Sequence, residues 1–427
     1  MWLREGIVIR AVTVLALAVL VPGVFANGPG TAASNCSCNS GGGNGGACAC
    51  PPAEPRLESM GGQSLFWQDP CGTSYRDDFW RCYEHDSCPP TWFASTEALP
   101  LFRDASGSTP YQVLATDVGT TYRRDAVLST SDFDTEFDPG LRAVLGRALG
   151  DWYRVEFSYF GTHEWTDSAS VEYQGADLVD NNAVGNLLSP FTNFGDPAGP
   201  AGLGPVTTLN PEEGFDYNDF ASISFSSELH NAEVNVRRRL CMPAQRNYHA
   251  EASCLVGLRY MKVSEDFAYY AHSPVPALDG ADESTTRVNI ATDNDLIGPQ
   301  LGAMAQFLVH DRAWIDAEVK GALLFNQATN KSNTVWDENS TDPLSFASEA
   351  DKDTTAFLGE ISVNFNYQFA PAWTVRAGYN AYWLTGVALA SENAVLNMDT
   401  NLYKATALNH DGKVVYHGPS LGIVWAR

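Results

Sequence analysis

The sequence predicts an all-β chain: a membrane-embedded up-and-down antiparallel β-barrel of about ten strands, with ten to fourteen accommodated. Three observations predict it. From Trp92 onward apolar and polar residues alternate with period two, and the alternating segments outrun the roughly 5–6 residues of an average strand. Aromatic residues sit near the ends of the apolar faces, as in Trp373 and Trp383, Phe357 and Phe369, and Tyr153 and Tyr159. Short connections also alternate with long ones, which a meander produces when one end is kept tight and the other elaborated.

Ten segments can be placed, at about 92–102, 140–149, 152–163, 219–236, 249–262, 298–309, 314–326, 354–369, 373–385 and 413–426. In "WIDAEVKGALLF" (314–325), Ile315, Val319, Leu323 and Phe325 share one face, whereas Asp316, Glu318 and Lys320 share the other. "TAFLGEISVNFNYQF" puts Ile361, Val363 and Phe365 opposite Glu360, and "WTVRAGYNAYW" puts Trp373 and Trp383 opposite Arg376. A helix would bring apolar residues back every three or four positions, and these do not. Short connections fall near Gly150, at 310–313 and at 370–372; long ones are expected at about 103–139, 164–218, 263–297, 327–353 and 386–412.

Alternation by itself also fits a soluble secreted sheet with one face on a core. Strand length and polarised loops favour the membrane. A spanning strand needs about 9–11 residues, and a sheet in hydrocarbon must close because every unpaired backbone group there is costly. The apolar face then meets lipid: Ile315, Val319, Leu323, Phe325, Ile361, Val363, Phe365, Trp373 and Trp383 are the lipid-facing candidates. The lumen-lining candidates are Glu156, Glu251, Arg259, Asp316, Glu318, Lys320, Glu360 and Arg376.

The first 26 residues read as a signal peptide. Arg4 and Arg10 precede an apolar run over 11–21, and "VFA" sets cleavage between Ala26 and Asn27. Residues 27–90 form a Gly/Cys-rich leader and a small Cys-rich periplasmic segment, with the barrel over 91–427. Seven of the nine cysteines lie in that leader, and an exported compartment permits disulfides. The formal charge of −25 excludes nucleic acid as a partner, since a polyanion would be repelled. The acids concentrate in the long connections: 164–218 has no lysine or arginine. Those loops attract divalent cations diffusely, without a defined metal site, and association into a homo-oligomer is left open.

Four stretches carry a family resemblance: "TWFASTEALPLFRD", "VEFSYFGTHEW", "SSELHNAEVNVRRRL" with "CLVGLRYMKVSEDFAYY", and "WTVRAGYNAYWLTGVALA" with the closing "GPSLGIVWAR". Over about 91–427 the chain resembles the β-barrel porin family seven of planctomycete outer membranes. The resemblance implies an exported outer-membrane barrel, a porin-like channel for passive passage of small hydrophilic solutes, with outer-membrane lipid as its other partner. It implies no catalytic motif, and the residues themselves suggest no metal and no cofactor. The alternative is a structural or surface-interaction barrel with a plugged lumen, because small barrels are filled by side chains whereas 16–18 strands leave a channel. His163 and His230, with Glu164 and Glu228 beside them, are the nearest approach to a catalytic set. Arg237–Arg239 reads as a solvated turn or a contact to lipid phosphates.

Overall fold

The structure, a computed structural model, describes residues 92–105, 112–116, 124–130, 133, 137–150, 152–173, 177–179, 182–184, 187–189, 218–240, 250–273, 284–310, 312–337, 344–394 and 408–427. The signal peptide, the Ala26–Asn27 cleavage site and the leader over 27–90 lie outside these residues.

Ten strands form a closed antiparallel ring. They are β1 (Trp92–Ala98, continued by Phe102–Ala105), β2 (Leu141–Leu149), β3 (Tyr153–Glu172), β4 (Phe220–Leu240), β5 (Ala250–Ser273), β6 (Ser284–His310), β7 (Ala313–Asp337), β8 (Leu344–Ala370), β9 (Trp373–Val387) and β10 (Gly412–Ala426). Each pairs with its neighbour in sequence, and β10 closes on β1 from Phe93↔Ala426 to Ala98↔Leu421. Around the ring, closure leaves no sheet edge, which is the condition hydrocarbon imposes, and only beyond Phe357 does β8 pair with β7 alone. Among the described residues no helix is long and apolar enough to cross a membrane; any crossing is made by strands.

Each of the ten expected segments is a strand of this ring. Gly150, at φ +70°, makes the β2–β3 turn, a conformation favourable only for a residue without Cβ. The first segment is broken where Pro100 interrupts the pairing. Leu99 and Leu101 turn inward there, and the indole Nε1 of Trp165 donates to the Leu101 carbonyl at 3.1 Å.

The long connections at 263–297 and 327–353 need correction. Most of their length is ladder: β5 and β6 stay paired up to Ser273↔Ser284, and β7 and β8 up to Trp336↔Leu344. The expected strands stop where the alternation changes its chemistry. Beyond residue 262 the inward residues of β5 include Val263, Phe267, Tyr269 and Ala271, with Glu265 the charged one among them, and the outward ones include Ser264 and Asp266. The pleat continues, but the apolar set moves to the opposite parity, so a pattern search for one apolar face ends at the switch.

Short strands cap the long-loop end. Gln112–Thr116 pairs with Arg124–Ser129 and with Leu187–Leu188. Leu128 and Leu187 pack with Ile223, Phe267, Tyr269, Val288 and Ile290 into an apolar core.

Candidate functional site: the interior of the ring

Beyond the short-turn mouth the interior has three levels. The lowest is a network of ion pairs. Glu97 accepts from Arg142 Nε at 3.0 Å and from Arg376 Nη1 at 3.2 Å. Arg142 also reaches Asn380 at 3.0 Å, from β2 to β9. Glu156 holds Arg154 and takes Arg237 at 3.0 Å, and Arg237 donates on to Glu318 at 2.5 Å. Lys320 sits between Glu233 at 3.3 Å and Glu360 at 3.1 Å, and Arg259 pairs with the same two carboxylates, at 2.6 Å to Glu233. Asp316 takes Asn366 and lies 3.7 Å from Arg376.

Several of these contacts cross the bore. Arg237 and Glu318 lie on β4 and β7, and Arg259 and Glu360 on β5 and β8, three places apart around the ring. Glu97, Glu156, Glu233, Asp316, Glu318 and Glu360 balance Arg142, Arg154, Arg237, Arg259, Lys320 and Arg376, six against six, so the network carries no net charge. Removing one partner of such a pair is worse than removing both, because a charge is left buried and unmatched. A cavity of about 90 Å³ lies among these groups.

The middle level is an apolar collar. Leu99, Leu101, Phe160, Trp165, Leu229, Met261, Leu296, Leu324, Leu358, Tyr382, Leu384, Val414 and Tyr416 form one buried cluster inside the ring. At this height the outer face is apolar as well: Leu323, Phe325, Phe357 and Trp383 are exposed beside inward Leu324, Leu358 and Leu384. Strand alternation points successive residues to opposite faces, so a run apolar at every position marks a level where both faces exclude water.

Above the collar the segment after β9 folds into the bore. Ala388, Leu389 and Ala390 are buried. Asn294 clamps this chain by accepting from Ala388 N and donating to Ala388 O, both at 2.8 Å. Ala390 N donates to Glu265 at 3.0 Å, and Glu265 in turn pairs with Arg103. Gly386, at φ +84°, admits the bend that starts this segment.

Seven of the residues singled out from the sequence sit in the ion-pair network: Glu156, Arg259, Asp316, Glu318, Lys320, Glu360 and Arg376. Glu251 lies nearer the short turns and accepts from Arg239 at 2.6 Å. Ile315, Val319, Leu323, Phe325, Ile361, Val363, Phe365, Trp373 and Trp383 are all exposed on the outer face. Sequence reasoning missed Glu97, Arg142, Arg154, Glu233 and Arg237. The signal was available for two of them: in "NAEVNVRRR", Ala232, Val234 and Val236 share one parity, and Glu233, Asn235 and Arg237 the other.

Two readings change. Arg237–Arg239 is no solvated turn, because it still alternates within β4. Arg237 and Arg239 point inward to Glu156 and Glu251, and only Arg238 is exposed, its guanidinium 5.8 Å from the Tyr153 ring centre. The two histidines are separated by the wall. His163 is buried, stacked on Trp165 with ring centres 5.3 Å apart and 3.8 Å from Asp138; His230 bonds Tyr159 at 2.9 Å on the outside. Cys254 carries a free thiol, and the remaining cysteines lie outside the described residues.

A closed ring with an exposed apolar belt outside and a charged interior within is a transmembrane β-barrel. A family model described as "Putative beta barrel porin-7 (BBP7)" matches residues 93–412, and the chain belongs to that family. It is an outer-membrane protein in contact with lipid. No curated protein sequence matches it. Among solved structures it is similar to the outer membrane protease OmpT from Escherichia coli, at 8% identity, covering 79% of this chain and 97% of that one with a TM-score of 0.39. It is also similar to the CymD monoaromatic hydrocarbon channel (6% identity, 79% and 89% covered, TM-score 0.21) and to a Pseudomonas aeruginosa FadL homologue (9%, 79% and 90%, TM-score 0.20). Likeness at this level carries no argument about the chemistry of this chain.

Proposed function

We propose that this protein is an outer-membrane barrel closed at its collar, whose external half rather than its bore is the working surface. The observation that carries the reading is the apolar cluster from Leu99 to Tyr416, which fills the ring between the ion-pair network below and the Ala388–Ala390 segment above. Short turns face the periplasm and long loops the exterior in such barrels. On this reading the paired extensions of β3 to β8 and the cap strands stand outside the membrane as a rigid, polar-coated projection. Ile315, Val319, Leu323, Phe325, Ile361, Val363, Phe365, Trp373 and Trp383 contact lipid. Glu156, Glu251, Arg259, Asp316, Glu318, Lys320, Glu360 and Arg376 line a lumen they also cross-link. No catalytic role is assigned, since His163 and His230 share no pocket. Export uses the signal peptide cleaved after Ala26, and N-terminal sequencing of the mature protein checks it.

The second reading is a channel for passive passage of small hydrophilic solutes, favoured by the polar chamber below the collar. At about 90 Å³ it has room for several waters, which need some 10–15 Å³ each by the same measure. Passage requires the collar to part. Planar-bilayer recording of folded protein separates the two: a silent bilayer supports the closed barrel, and discrete conductance steps support the channel.

A further inference from the structure

Below the ion-pair network, at the end where the short turns lie, the lumen opens into a vestibule lined by Trp152, Arg154, Arg237, Arg239, Glu251 and Gln306. Three guanidinium groups face it against one carboxylate. Most of their bonding capacity is committed: Arg154 and Arg237 to Glu156, and Arg239 Nη2 to Glu251 at 2.6 Å. Two donors are not. Arg239 Nη1 and Gln306 Nε2 are buried and have no acceptor. The Arg239 side chain is 10% exposed and Gln306 is 7% exposed, so both donors are largely withdrawn from bulk solvent. A buried donor without an acceptor costs about 1–3 kcal/mol.

Register brings the two donors together. Gln306 on β6 pairs directly with Glu251 on β5, and Arg239 on β4 pairs with Ser253, the next inward residue of β5. Both therefore face one pocket from the two strands that flank β5, with the Glu251 side chain between them. The pocket that both line has about 20 Å³ of free space, enough for one or two oxygen atoms and too small for a whole solute. A compact acceptor with negative charge fits this space and these two donors.

We infer that the periplasmic vestibule is a carboxylate-binding site, in which Arg239 Nη1 and Gln306 Nε2 donate to the two oxygens of a single carboxylate. A planar carboxylate matches two donors on one wall, and charge assistance from Arg239 strengthens the bond. This assignment is independent of whether the collar ever opens, because the vestibule lies on the periplasmic side of it.

The test uses the full chain folded in detergent, with sodium acetate as the probe. Thermal unfolding is followed against acetate, phosphate and chloride in turn, at ionic strength held constant with a bulky sulfonate. The expected result is a saturable rise in midpoint with acetate, at an affinity on the order of millimolar, as suits two hydrogen bonds. Gln306→Leu removes one donor and touches no ion pair; it should weaken the apparent affinity at least tenfold while the protein keeps its heat-modifiable migration. Arg239→Gln should do the same. A non-saturating rise common to all three salts, a response to phosphate but not acetate, or an acetate response unchanged in Gln306→Leu would overturn the assignment.

Discussion

In its lower half β5 turns Arg259 into the barrel and Leu258 out; further along, the same strand turns Phe267 in and Asp266 out. The parity is constant and the chemistry is reversed. Below the collar the outer face is the apolar one, because the medium around it is hydrocarbon, and the interior must then satisfy charge by pairing it. Above the collar the strands follow the ordinary rule of a soluble sheet, apolar inside and polar outside. The six-against-six ion-pair network and the Leu128–Ile290 core are thus two solutions to one problem, filling a closed ring, under two solvents. The collar, apolar on both faces, is where one solvent gives way to the other.

Each substitution below breaks that comparison at a chosen level, and the largest effect belongs to the network. Glu233→Ala leaves Arg259 with Glu360 alone, a carboxylate it shares with Lys320, and should cost about 3–5 kcal/mol in chemical unfolding from lipid vesicles. Phe267→Ala, in the upper core, should cost a similar amount or slightly less. Its damage should be confined to the external half, read as faster hydrogen exchange in β4 to β6 above the collar while the network amides stay protected.

An arginine scan of one outer face comes next. Val319→Arg sits mid-belt and should cost about 2–4 kcal/mol. Ala291→Arg, an outward position of β6 above the collar, should stay within about 0.5 kcal/mol, as surface changes do. Equal costs at the two positions would deny that the media differ.

The smallest effect is electrostatic. Asp266 is exposed above the belt, yet partial burial, followed by Asp293 and Glu228, raises its pKa above the usual carboxylate range. A carboxyl raised in the fold binds its proton more tightly there than in the unfolded chain. Its contribution to stability is therefore lost as pH rises through the raised pKa and regained on acidification. Asp266→Asn should flatten the dependence of external-half stability on pH as pH rises above about 4, measured by thermal unfolding.

The sequence made the lower half legible because lipid demands a one-sided pattern. Ile315, Val319, Leu323 and Phe325 state the outer face, and Asp316, Glu318 and Lys320 follow by parity. The upper extensions were not legible by the same search, since at residues 262, 298, 326 and 354 the apolar parity switches and the pattern looks like its own end. Looking for alternation of either sign would have carried β5 on through Phe267 and Tyr269. The pairing partners were hidden for a different reason. Arg237 meets Glu318, and Arg142 meets Asn380, only after the ring closes, and nothing in local spacing announces a contact across a bore.

The account turns on where the solvent changes along a continuous strand. A spin label moved one outward position at a time along β7 in lipid vesicles measures it directly, by relaxation from oxygen against relaxation from a water-soluble nickel complex. Labels at 315, 319 and 323 should favour oxygen, and labels at 327, 331 and 335 should favour nickel, with the crossover next to Phe325. A profile favouring oxygen along the whole strand, or nickel along the whole strand, would contradict it.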